Sequence, residues 1–195
     1  MIRLKRCPWC ETSDSMRDYH DREWGVPRAD DRHHFEHLLL EIFQAGLSWQ
    51  TILNKRANFQ KAFAGFDPEK IACFDETDVE RLMNDVGIIR NRRKIEAAIH
   101  NTRIFLEIQR TEGSFLNFVN KFRPVERKFY ESDGEIPPST PESEALAVEL
   151  RKRGFKFVGP TGCYAYMQGV GLVNDHIEGC FRFRQIEDMK TMNQK

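Results

Sequence analysis

Residues 34–44 read HFEHLLLEIFQ. Apolar side chains at Phe35, Leu38, Leu39 and Ile42 recur in steps of three and four, which predicts a helix with one buried face. Similar signals run outward along the chain. Asp67-Pro68-Glu69 sets a capping acid before a proline at the first helical position. Thr77-Asp78-Val79-Glu80 has capping-box spacing ahead of Leu82 and Met83. Ile95, Ala98, Ile99, Thr102, Phe105 and Leu106 make another helical face, and Ser114 opens a short helix through Phe118 and Val119. Thr140-Pro141-Glu142 repeats the start signal. Gly154 closes that helix after Arg151-Lys152-Arg153, where cations suit the negative end of the helix dipole. No alternating run bounded by turn signals interrupts this, so the fold is predicted to be all-α.

The 195 residues suit one domain or two lobes sharing a core. A chain 40% hydrophobic with 15 Phe has enough apolar material to fold. No aliphatic run approaches the ~20 residues that cross a bilayer, and the N-terminus lacks the apolar stretch of a signal peptide, so no membrane is expected and the location is expected to be cytoplasmic. Lys+Arg and Asp+Glu number 30 each, so net charge names no partner. Basic islands at 90–94, 121–128 and 151–156 can form a positive face or solvated helix surfaces. Glu131 to Thr140 reads as a surface loop, and the polar stretch after Arg184 as a frayed tail. Residues 1–184 are then one unit and 185–195 its tail.

Five cysteines in a chain that needs no disulfides invite a metal reading. His176-x-x-x-Cys180 sets an imidazole and a thiol one helical turn apart, and Cys7, Cys10 and His20 lie near the other end of the chain. Two ligands from each end would let zinc clamp the ends together, and four protein ligands would make that site structural. Spacing alone leaves both Cys10 and His20 available as the fourth ligand. Cys7-x-x-Cys10 also fits a redox pair, although the βαβ context of that chemistry is missing.

Gly154 to Thr161 (GFKFVGPT) joins the helix ending at Arg153 to a small-residue helix. Such a glycine hairpin exposes backbone N–H groups near a helix N-terminus and can hold a phosphate without reading a base. Taken alone it reads better as an ordinary helix–helix turn.

Together, CPW, YHDREWGVP, QAGLSWQTIL, VGIIRNRRKI, RGFKFVGPTGCYAYMQ and GLVNDHIEGC resemble the 3-methyladenine DNA glycosylase I family of helix–hairpin–helix DNA repair glycosylases, in order and over nearly the whole chain. The resemblance implies a two-lobed helical fold in which structural zinc is held by Cys7, His20, His176 and Cys180, with Cys10 an extra thiol. It puts Phe157, Val158, Gly159, Pro160 and Thr161 on a DNA-binding hairpin, and Glu41, Tyr19 and Trp49 in a base pocket with the Trp9 and Trp24 rings around it. The carboxylate of Glu41 would accept from an exocyclic amine, and Leu47, following Gly46, would wedge into the duplex gap. The implied partner is double-stranded DNA carrying alkylated purines, acted on by a monomer.

Two departures bear on mechanism. Where many of these glycosylases carry an essential aspartate, Val173-Asn174-Asp175-His176 has Asn174, with Asp175 expected to point elsewhere on a helix. With no lysine placed as a Schiff-base nucleophile, the implied reaction is hydrolysis without strand cleavage. Met16 stands where the family has a second pocket tyrosine, and methionine cannot donate a hydrogen bond. Two rival readings are a zinc-stabilised module that binds DNA without excision, and a thiol–disulfide protein built on Cys7 and Cys10.

Overall fold

The computed structural model describes residues 4–126 and 128–192, with the side chains of 190–192 outside the description. The described residues contain ten α-helices and no strand: α1 Asp14–Arg22, α2 Asp31–Gln44, α3 Trp49–Ala62, α4 Pro68–Ala72, α5 Glu76–Asn84, α6 Arg92–Glu112, α7 Phe115–Asn120, α8 Pro141–Lys152, α9 Pro160–Gly169 and α10 Phe181–Met192. None is long and apolar enough to cross a membrane.

Local chemistry explains most boundaries. The side chains of Ser13, Asp30, Ser48, Asp67, Asn91 and Ser114 each accept a backbone N–H in the first turn that follows. Thr140 and Ser143 form a reciprocal capping box behind Pro141. The box of α5 lies two residues earlier than the sequence suggested: Asp75 and Asp78 make it, and Thr77 is already helical. Both spacings fit a cap, and the aspartate takes it.

Helix α6 packs against α2, α4, α5 and α7. Its apolar face meets a phenylalanine-rich core in which Phe105 stacks on Phe115 at 4.4 Å and meets Phe35 edge-on at 5.0 Å. Polar ties lock the helices in register. The Asp31 carboxylate accepts from the N–H groups of Phe115 and Leu116, joining the start of α2 to that of α7. His34 on α2 pairs with the Tyr166 hydroxyl on α9 at 2.6 Å. Arg56 on α3 bonds both Glu36 on α2 and Glu23 just after α1.

Two other expectations are revised. The chain beyond Arg184 is not a frayed tail: α10 continues to Met192, Ile186 is fully buried, and only 193–195 of that stretch lie outside the description. Residues 174–180 are not helical, so His176 and Cys180 face one another across a turn.

The segment between α8 and α9 is pinned from α6. Asn101 donates from Nδ2 to the Lys156 carbonyl at 2.9 Å and accepts the Lys156 N–H at 2.8 Å, while His100 Nε2 meets the Gly154 carbonyl. Replacing Asn101 by alanine removes both bonds. The variant is expected to lose about 1–3 kcal/mol in urea unfolding and to lose amide protection at Lys156 before the α6 core opens.

Candidate functional site

Two clusters share helix α1. In the first, Cys7, His20, His176 and Cys180 are all buried, and their ligand atoms lie within 4.8 Å of one another. Cys180 Sγ is 3.4 Å from His20 Nε2 and 3.6 Å from His176 Nδ1, and Cys7 Sγ is 3.7 Å from His176 Nδ1. The outward nitrogens are occupied. His20 Nδ1 lies 2.8 Å from the Asp21 carboxylate, itself held by Arg6, and His176 Nε2 lies 3.0 Å from the Trp24 carbonyl. Both outward partners are acceptors, so each outward nitrogen carries the proton. That leaves lone pairs on His20 Nε2, which accepts the Cys7 N–H at 3.4 Å, and on His176 Nδ1, only 3.2 Å away. Lone pairs and thiols turned toward one point can be satisfied by thiol protons or by a cation, and carboxylate and carbonyl partners behind the imidazoles are the usual support of a metal ligand. The donor set therefore fits a soft divalent metal. Cys10 is buried but outside the cluster.

In the second, α1 contributes Tyr19, α2 contributes His37 and Glu41, and α3 contributes Trp49. The rings of Tyr19, His37 and Trp49 form a triangle with centroids 5.5, 6.1 and 6.3 Å apart. The Glu41 carboxyl is buried here and Oε2 has no hydrogen-bond partner in the protein. Desolvation pushes its pKa up to about 8, and the same carboxylate and burial raise that of Tyr19. Trp49 Nε1 and both ring nitrogens of His37 also lack partners. Each such group costs about 1–3 kcal/mol when left dry. Four of them sit on two adjacent helices, beside an aromatic triangle, where a polar ligand can satisfy them.

Trp24 packs edge-on against His176 at 4.6 Å and over His20 at 6.3 Å, so its ring belongs to the cysteine–histidine cluster. Trp9 touches Trp24, His20 and Tyr19 and bridges the two clusters. Met16 is buried one turn before Tyr19. Leu47 is exposed on the turn after α2, next to Gly46, whose positive φ of 82° suits only glycine there. That turn is braced by the Lys94 ammonium, which donates to the carbonyls of Phe43 and Ala45.

At the hairpin, Phe157 is exposed in the left-handed region (φ 56°), with the Arg93 guanidinium 5.9 Å from its ring. Gly159 caps α9 without a side chain, Pro160 follows at the first helical position, and Val158 and Thr161 flank them. The basic islands are only partly available: Arg92 pairs with Glu76 and Glu80, and Arg153 with Glu112 and Glu149. Asn174 donates to the Phe183 carbonyl and to Glu187, and Asp175 accepts from Gln168.

Sequence reasoning missed His37, Asn101 and Gly169. His37 lies one turn before Glu41 on the same face, a spacing that could have revealed it. Gly169 carried no signal, because what it accommodates comes from another helix.

A model of the methyladenine glycosylase family matches residues 9–183. DNA-3-methyladenine glycosylase 1 of Escherichia coli (strain K12) is 48% identical over 179 residues, 91% of this chain and 96% of that protein. A crystal structure of 3-methyladenine DNA glycosylase I superposes with a TM-score of 0.87 at 51% identity, covering 91% of this chain and 98% of that one. A variant of 3-methyladenine DNA glycosylase I in complex with 3-methyladenine also scores 0.87, at 32% identity over 91% and 97% of the two chains.

The raised Glu41 pKa sets a pH signature in the ligand-free protein. At low pH the carboxyl is neutral in both folded and unfolded chains. Between its ordinary value of 4.5 and about 8 only the unfolded chain ionises, so stability falls as pH rises through that window. Glu41→Gln removes this loss. Its unfolding free energy relative to the parent protein is expected to grow by about 2–3 kcal/mol from about pH 5.5 to about pH 8 in urea titrations. A constant difference would show that the carboxyl ionises normally.

Proposed function

Because this chain belongs to the methyladenine glycosylase family, we propose that it hydrolyses the N-glycosidic bond of 3-methyladenine in alkylated DNA, monofunctionally and by base flipping, with the chain through α10 as one two-lobed unit around the cleft. The observation that carries this reading is the buried Glu41 carboxyl with an unpartnered oxygen among Tyr19, His37 and Trp49.

N3-methylation makes the base a cation and hence a good leaving group. Water adds to the sugar C1′, the bond to the base breaks with its electron pair moving to the ring, neutral 3-methyladenine departs, and the water proton passes to solvent. The protein's task is to extract, select and hold. Extraction costs a few kcal/mol, and less for a damaged pair. Burial favours the neutral form of the Glu41 carboxyl. An entering cation favours its ionised form, which accepts from the exocyclic amine and attracts the positive ring. Tyr19 supplies a hydroxyl to a ring edge, and Trp49 an aromatic face worth ~0.5–2 kcal/mol against a cationic ring. Neutral adenine gains less, which is the basis of selection.

Leu47, presented by Gly46, fills the gap left in the duplex, and Phe157 to Thr161 approach the phosphate backbone through the open N-terminus of α9, with Arg93 beside them. The absence of strand cleavage is supported by Lys94, whose ammonium is committed to two carbonyls, and by Asn174 and Asp175, whose side chains are engaged within the protein. Zinc at Cys7, His20, His176 and Cys180 would hold the ends of the chain together, with every ligand from the protein and no place for a reacting water. The fit with DNA repair makes a cytoplasmic monomer the working picture.

DNA treated with a methylating agent is expected to release free 3-methyladenine, detected by chromatography, with intact strands, and Glu41→Gln is expected to release at least ~10-fold less. No release by folded, metal-loaded protein would leave a DNA-binding module instead. Elemental analysis is expected to find about one zinc per chain, unchanged in Cys10→Ala and lost in His20→Ala, and chelation is expected to lower the Tm by ~10 °C or more. An unchanged Tm after complete removal of metal would overturn the clamp.

A further inference from the structure

His37 is an expensive way to fill space. It sits on α2 before Leu38-Leu39-Leu40, is 1% exposed, and neither ring nitrogen has a hydrogen-bond partner in the protein. A leucine or phenylalanine there would avoid the desolvation cost of two orphaned nitrogens. Burial among His33, His34, Arg56 and Arg28 disfavours the imidazolium, so the ring is neutral and offers one donor and one acceptor. It faces Trp49 nearly parallel, with 22° between the planes, one turn along the helix from Glu41.

The surroundings are built to hold this imidazole. A Cβ at position 169 would lie 2.7 Å from His37 Nδ1, 2.9 Å from its Cε1 and 3.1 Å from the Tyr19 hydroxyl oxygen. Gly169 is helical and has no positive φ to justify a glycine. What it provides is room: Nδ1 and the Tyr19 hydroxyl converge on the space above it. An orphaned donor–acceptor ring, two aromatic neighbours and a glycine that makes way for it are the marks of a recognition group.

We propose that His37 is a specificity-determining residue that hydrogen-bonds an unsubstituted ring nitrogen of the flipped purine while Glu41 takes the neighbouring amino group. This inference rests on the glycosylase reading above and deepens it. One helix face then reads two adjacent atoms of the base, a ring acceptor and an amino donor. That pair occurs in 6-aminopurines. In a 6-oxopurine the positions invert: an oxygen meets the Glu41 carboxylate and His37 must change tautomer to accept the ring N–H, so the site favours alkylated adenine over alkylated guanine.

The test is titration of free 3-methyladenine into metal-loaded protein, followed by calorimetry, together with chromatography of the 3-methyladenine and 3-methylguanine released from methylated DNA. His37→Leu is expected to remain folded and at least as stable as the parent, since it removes two orphaned atoms. Its Kd for the free base is expected to rise ~10-fold or more, the worth of a hydrogen bond in a desolvated pocket, and its preference for 3-methyladenine over 3-methylguanine to shrink. His37→Asn, which keeps a donor and an acceptor, is expected to recover part of both. Gly169→Ala, which pushes a methyl group against the imidazole, is expected to weaken binding without removing the ring. Binding within twofold of the parent by folded His37→Leu, or by Gly169→Ala should the first variant not fold, overturns the role of His37 while leaving the glycosylase intact. If the parent itself releases no 3-methyladenine, the functional reading fails, and this inference with it.

Discussion

The lone pairs of His20 Nε2 and His176 Nδ1 face each other at 3.2 Å between two thiols. That contact constrains much of the molecule, because it joins residues 156 positions apart and gathers four potential ligands in one buried place. A cation there would do more than any single hydrogen bond, since structural zinc contributes on the order of 10 kcal/mol in small zinc-binding peptides. It also reaches the ligand site. Tyr19 precedes His20 on α1, and the Trp24 carbonyl that anchors His176 belongs to a ring packed on Trp9, which in turn touches Tyr19. One wall of the pocket is therefore as well positioned as the cysteine–histidine cluster is.

The opposite wall depends on different forces. Helices α2 and α3 are held by phenylalanine packing behind them and by the Arg56 guanidinium shared between Glu36 and Glu23. This bracing lets α2 carry a buried carboxyl and a buried imidazole without partners, side by side on one face. A loosely packed helix would rotate or admit water to satisfy them. The site is preorganised at the expense of stability, since its buried polar groups are held in place without partners.

Most of the fold was legible because helix signals are local. Caps at Ser114, Asp67 and Thr140, the apolar stripe of α2 and the stop at Gly154 all act within about one turn, so they can be read residue by residue. The misreadings share one cause, which is competition that local patterns do not resolve. Thr77 and Asp75 both have cap spacing, and aspartate won. His176 and Cys180 have helical spacing but meet across a turn. The stretch after Arg184 is polar in composition, yet Ile186 buries itself completely and helix α10 persists.

The sequence by itself determined the helical class, most helix starts, and the residue types able to ligate a metal or read a base, since these follow from side-chain chemistry and spacings of three or four. Tertiary structure decided which of those groups lost water and which found partners. Arg92 and Arg153 look like free cations in sequence and are ion-paired in the fold. His37 looks like one more residue of a helical stripe, and becomes an orphaned imidazole only because α9 brings Gly169 beneath it. Desolvation and hydrogen-bond satisfaction depend on atoms distant in the chain, so a pattern of near neighbours can nominate a site, whereas its electrostatics arise only on packing.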